Sequence, residues 1–194
     1  MRHSKASDVA ILAIFIAIMI VIQILSQVVY AFWPVPIKPT LLHIPVLIGS
    51  VLLGWKKGAF LGFVMGLISF INATLVTSPS SFLFSPLQPN PVTGHGDFAA
   101  LIIAFIPRIL IGIFPFFVYR AMKNHFGAGL AGFVGTATNT VLVLGGIYLF
   151  FHTTLKQTFG AFLASIVTVN SVAEVIIAVI LAAAIIPALE KSRN

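Results

Sequence analysis

The chain has 194 residues, of which 59% are hydrophobic and 8% charged, whereas an ordinary soluble domain is roughly 25% charged. A bilayer crossing takes about 20 apolar residues, so the length leaves room for about six or seven helices with short loops. The absence of cysteine rules out disulfides, thiol catalysis and thiolate metal sites. The net charge of +7 is spread singly or in pairs between apolar runs, which argues against nucleic acid as a partner.

Apolar runs predict a first helix from Val9 to Trp33, a short second helix from Leu41 to Leu53 that contains Pro45, and a third from Gly58 to Val76. The first run follows Arg2 and Lys5 but has no small-residue cleavage site after a short apolar core, so it reads as a helix and not as a secretory signal. A re-entrant or surface-lying segment is expected around Pro34, Pro36 and Pro39, just before the short helix. The stretch from Thr77 to Asp97 is rich in proline and glycine yet carries Phe82, Leu83 and Phe84, so it reads not as a flexible linker but as a structured cap over a cavity or as a surface loop that dips its aromatics into the membrane interface. Helices four to six follow, from Phe98 to Tyr119, Gly127 to Phe151 and Gly160 to Leu189. The fold class expected is therefore an all-α integral membrane protein, a single domain over residues 1–194 built as a bundle of six transmembrane helices.

Alternating loops are unequal in charge. Arg2, Lys5, Lys56, Lys57, Arg120, Lys123, Lys191 and Arg193 fall on one side, Lys38 and Lys156 on the other. The positive-inside rule then places both termini in the cytoplasm and turns the proline-rich loop outward.

Close helix packing in lipid relies on small residues. Gly54, Gly58, Gly62 and Gly66 recur every four residues, as do Ala128, Gly132 and Thr136, and both sets are expected to be packing stripes. On the first helix Ala10, Ala13 and Ala17 share a face near the cytoplasmic end, smooth enough to dock another helix or to pack internally.

Charges near the bilayer midplane cost several kcal/mol and are functional candidates by default. Arg108 and Glu174 are the two in this chain. Arg108 lies about 15 Å into the fourth helix, and Glu174 is at comparable depth in the sixth. Asn139 and Asn170 fall at or just outside that level, and Asn72 is near the outer end of the third helix. Asn170 and Glu174 share a face. Pro107 frees a backbone carbonyl beside Arg108 and bends the helix there. Two readings stay open: Arg108 and Glu174 pair while the asparagines tie helices together, or Arg108 grips the anionic group of a substrate while the amides meet hydroxyls and amides. His43 is a candidate for lining the outer cavity or a satisfied helix-end histidine. No histidines have metal-ligand spacing, so no metal and no cofactor is expected. The run from Gly49 to Lys56 lacks the ending of a P-loop, and internal acids are too few for a proton relay, so concentrative uptake would need partner proteins. An intramembrane enzyme is disfavoured by the lack of a nucleophile and base.

The whole chain resembles the substrate-binding S components of energy-coupling factor vitamin transporters. The likeness rests on about six helices, cytoplasmic ends, long outer loops and the alanine pattern Ala13-Ile-Phe-Ile-Ala17. The stretches Leu42-His-Ile-Pro-Val-Leu-Ile-Gly49, Phe105-Ile-Pro-Arg108 and Thr138-Asn-Thr-Val-Leu-Val-Leu-Gly145 look most similar to the pantothenate-specific branch. The resemblance implies a bacterial plasma-membrane location and an alanine face on a transmembrane coupling subunit that joins two cytoplasmic ATPases. It also implies outer loops that close over a vitamin pocket. Pantothenate offers a carboxylate, an amide and two hydroxyls, which suits Arg108 as clamp with Asn139, Asn170, Asn72, Glu174 and His43 as polar neighbours. Riboflavin would call for stacking aromatics, and a cationic vitamin for Glu174 as the main contact. An S component for riboflavin, folate or biotin, or a self-sufficient carrier of a small organic anion, remains the alternative.

Overall fold

The structure is a computed structural model that describes residues 5–32, 41–166 and 169–193. These residues form eight α-helices, one 3-10 turn and no strand. In chain order they are α1 (Lys5–Phe32), α2 (His43–Leu53), α3 (Trp55–Leu75), the 3-10 turn η1 (Ser81–Leu83), α4 (Ala99–Ile111), α5 (Phe114–Ala121), α6 (His125–Phe151), α7 (Phe159–Ile166) and α8 (Val169–Arg193). Five stretches are long and apolar enough to cross a bilayer, with α4 and α5 counted together as Ala99–Ala121. The expected segment around Pro34, Pro36 and Pro39 lies outside the described residues.

The short helix α2 is the centre of the bundle. Its 11 residues reach about 16 Å, half the bilayer core, and every residue from His43 to Ser50 is buried. Pro45 is tolerated because the first helical turn has no N–H bonds to lose. Around α2 pack Met19 of α1, Leu61 and Met65 of α3, Ile111 of α4, Ala128 and Ala131 of α6, and Ala178, Ala182 and Ile186 of α8.

Glycine sets the spacing between α3 and α4. A Cβ on Gly58, Gly62 or Gly66 would lie 2.1, 2.1 or 2.8 Å from the carbonyl oxygens of Gly112, Arg108 and Ala104, so the two backbones touch over two antiparallel turns. Gly54 is not part of that stripe. Its φ of +94° and the open space around it make it the turn between α2 and α3. Gly132 packs in the same manner on Ala178 and Ala182, which joins α6 to α8.

The two ends of the bundle differ. One carries the ion pair between Lys57 and Asp8 at 2.6 Å, the hydrogen bond from Tyr119 to Glu190 and the contact of His125 Nδ1 with the Ala183 carbonyl at 3.0 Å. The other carries loop 77–98, which is a structured cap, the first of the two readings its apolar residues allowed. Phe82 and Leu83 are buried, with Phe82 edge-on to Phe151 at 5.5 Å. Ser85 hydrogen-bonds Thr74 at 2.8 Å, Gln88 donates to the Thr74 carbonyl at 2.9 Å, and Asn90 donates to Thr154 at 3.2 Å, so the cap is tied to α3 and to the connection after α6.

Candidate functional site

Proline has no N–H, so Pro107 leaves the carbonyl of Ile103, four residues earlier in α4, without its helical donor. Arg108 supplies one: its Nη1 donates to that same Ile103 oxygen. Arg108 is 7% exposed as a residue, and its Nε has no hydrogen-bond partner among the described residues. With Nη1 occupied, the edge formed by Nε and Nη2 is left to receive a carboxylate through two parallel hydrogen bonds. Phe84, just past η1, places its ring centroid 5.1 Å from the arginine Cζ, in range for a cation–π contact. The cap thus reaches the buried cation. Gly62 closes on the Arg108 carbonyl from α3 and fixes the backbone that carries it.

No ion pair joins Arg108 to Glu174 among the described residues; the ion pair there is Lys57 with Asp8. Glu174 is buried on α8. Its level follows from helix register: α6 and α8 are antiparallel, with His125 beside Ala183 and Gly132 beside Ala178, so one further turn sets Glu174 level with Thr136. Thr136 gives its hydroxyl proton to the Gly132 carbonyl at 3.0 Å and faces His43 Nε2 at 3.1 Å. The hydroxyl has only one proton, so Nε2 of His43 is the donor in that contact. His43 is fully buried and joins α2 to α6.

Asn139 is also buried, and its Oδ1 has no partner among the described residues. Gly146 approaches Ile103 and Gly135 approaches Pro115, so α6 runs antiparallel to α4 and α5. Asn139, one turn beyond Gly135, falls between the levels of Pro115 and Arg108. Arg108, Asn139, Thr136, His43 and Glu174, drawn from α4, α6, α2 and α8, are thus buried polar groups spread over a polar layer about 9 Å deep, from the level of Arg108 to that of Thr136 and Glu174. Asn72 stands apart from it. Its Oδ1 accepts from Gln27 and ties α3 to α1. The side chain of Asn170 lies outside the described residues.

Phe84 was expected only as a cap residue and Thr136 only as part of a packing stripe, and the carbonyl that Pro107 frees is now seen to be that of Ile103, bonded to Arg108. The apolar triplet in a proline-rich loop was the signal for the first, and Pro107 for the last. An open groove along α5 and α6, lined by Phe114, Phe133, Val134, Ala137, Thr138, Val141 and Leu142, holds none of the polar groups and suits lipid contact.

Ala10, Ala13 and Ala17 are exposed along α1 beside exposed Ile14 and Ile18. Among the described residues no other helix packs on that face; α1 meets the bundle through Met19 and its neighbours instead.

Residues 7–186 match the family model described as ECF transporter, substrate-specific component. The chain is 65% identical over 194 residues to the Pantothenic acid transporter PanT of Lactococcus lactis subsp. cremoris, covering 100% of this chain and 99% of that one. It is 29% identical over 202 residues to the Pantothenate transporter PanT of Leuconostoc mesenteroides subsp. mesenteroides, covering 95% and 93% of the two chains.

Proposed function

The chain belongs to the substrate-specific components of ECF transporters, a multi-pass membrane family, and we propose that it captures pantothenate outside the cell and delivers it inward. The observation that carries this reading is the buried Arg108, its Nη1 anchored by the Ile103 carbonyl and its Nε buried without a hydrogen-bond partner among the described residues. A carboxylate fits the edge formed by Nε and Nη2 with both oxygens. Asn139, with an unpartnered buried oxygen nearby in register, accepts from a substrate hydroxyl or amide. Glu174 and His43 stand as further polar contacts, and Asn170 and Asn72 are assigned to the substrate on their sequence positions alone. The names of both relatives favour pantothenate over riboflavin, folate or biotin.

Six crossings with both termini in the cytoplasm accord with the excess of Lys and Arg at the end that holds Lys57 and Glu190, which turns the 77–98 cap outward. The power stroke comes from outside this chain. It has no P-loop, and the uncovered alanine face of α1 is a docking surface for a transmembrane coupling subunit joined to two cytoplasmic ATPases.

Two measurements test the proposal. Labelled pantothenate should bind the purified chain and resist displacement by excess riboflavin, folate or biotin. Displacement by one of these with higher affinity would reassign the cargo. In proteoliposomes, uptake should require the coupling subunit, the ATPases and ATP; uptake by this chain alone under an ion gradient would make it a self-sufficient carrier.

A further inference from the structure

Next to the clamp stands a residue that has no polar atom to offer a substrate. We propose that Pro107 is a positioning residue for substrate recognition: by withholding the N–H that the Ile103 carbonyl would otherwise take, it makes that carbonyl the anchor that orients Arg108. This inference rests on the reading of Arg108 as the carboxylate clamp.

An arginine side chain has several freely rotating bonds, and one near an apolar midplane tends to stretch toward the nearest polar boundary. A guanidinium in that condition presents no fixed edge. In α4, the Nη1 bond to Ile103 settles the orientation, leaving Nε and Nη2 to face a ligand as a pair. The backbone cannot slide to undo it, because Gly62 sits against the Arg108 carbonyl with no room for even a methyl group. An N–H at position 107 would compete for the same oxygen along the helix axis, where regular geometry favours it. Proline removes that competitor.

The molecule repeats the arrangement elsewhere. Pro187 interrupts α8 and leaves the Ala183 carbonyl without its helical donor, and His125 Nδ1 contacts that oxygen at 3.0 Å. A carbonyl oxygen only accepts, so Nδ1 carries the proton. In both helices a side chain takes the acceptor that proline has freed, one from the adjacent residue and one from another helix.

The test compares pantothenate with its uncharged analogue, in which a hydroxymethyl group replaces the carboxylate. Affinities of both are measured by equilibrium titration on the purified full chain, as wild type, Pro107→Ala and Arg108→Ala. The preference of wild type for the carboxylate should nearly vanish in Arg108→Ala; an unchanged preference there overturns the clamp itself. With the clamp upheld, Pro107→Ala should lower the preference by about tenfold or more while the analogue binds within about threefold of wild type. An equal loss for both ligands, or a preserved preference, overturns the role of Pro107. A readout on wild type stands independently of how the variant folds. In arginine-labelled, ligand-free protein, the Nη1 and Nη2 protons of Arg108, assigned by their loss in Arg108→Lys, should give separate NMR signals because the anchor hinders rotation. A single averaged signal would overturn the proposal.

Discussion

Arg108 is buried in an apolar helix, where a cation costs several kcal/mol unless its charge and donors are met. Two groups meet it in the structure, the Ile103 carbonyl and the face of Phe84, and neither carries a negative charge. In the proposed reading an anionic ligand supplies what they lack. If Phe84 closes over the bound anion, Phe84→Ala should speed pantothenate release by about threefold or more, the size of one cation–π contact, as measured by the dissociation rate of labelled ligand. An unchanged rate would confine Phe84 to packing. Thr136→Val tests the neighbouring contact. It removes the acceptor of His43 and should lower thermal stability by about 1–3 kcal/mol, because a buried donor loses its partner. The charge and its proline were legible in the sequence because both are out of place in an apolar run. Phe84 was legible only as part of an apolar triplet. Its meeting with Arg108 depends on how the cap folds, which no local spacing records.

At the level of elements, glycine positions separate packing from turning. Gly62→Ala places a methyl 2.1 Å from the Arg108 carbonyl oxygen, must push α3 from α4, and should cost about 1–3 kcal/mol together with a loss of pantothenate affinity. Gly54→Ala meets no neighbour but strains a φ of +94°, so it should cost about 1–2 kcal/mol and spare binding. Thermal denaturation with parallel titration distinguishes the two; equal effects on binding would remove the α3–α4 contact from the site. The four-residue spacing of Gly54 to Gly66 gave no sign that its first member belongs to a turn, since periodicity is blind to φ. The first, second, third and fifth expected helices lie within a few residues of their hydropathy bounds, whereas the run expected as one helix from Gly160 to Leu189 holds two described helices, α7 and α8. The break between α4 and α5 at Gly112 did not show in hydropathy, because the run stays apolar through it.

Across the whole molecule, the structure has a sided plan: a tied-down cap at one end, a cluster of charged contacts at the other, and a polar layer between them. Along one flank runs α1, whose small-residue face is exposed among the described residues. The sequence left that face open to internal packing or to a partner, and no described helix packs on it. Ala13→Trp or Ala17→Trp should therefore abolish co-purification with the coupling subunit while leaving pantothenate affinity within about threefold of wild type, since the buried polar layer is not touched. Normal assembly of either variant would move the docking surface elsewhere. Of the polar layer, the burial of Arg108, Asn139 and Glu174 was legible from their depth in the apolar runs, but depth along an axis does not say which side chains meet. Hence only the three-dimensional arrangement shows that no Arg108–Glu174 ion pair stands among the described residues.

The central claim is that Arg108 binds the carboxylate of the cargo. Equilibrium titration of pantothenate against the purified chain and its Arg108→Ala variant tests it most directly. Loss of a paired, charge-assisted contact in a buried site predicts an affinity drop of about a hundredfold or more, with the variant still folded by thermal denaturation. A folded variant that binds pantothenate as wild type does would contradict the account.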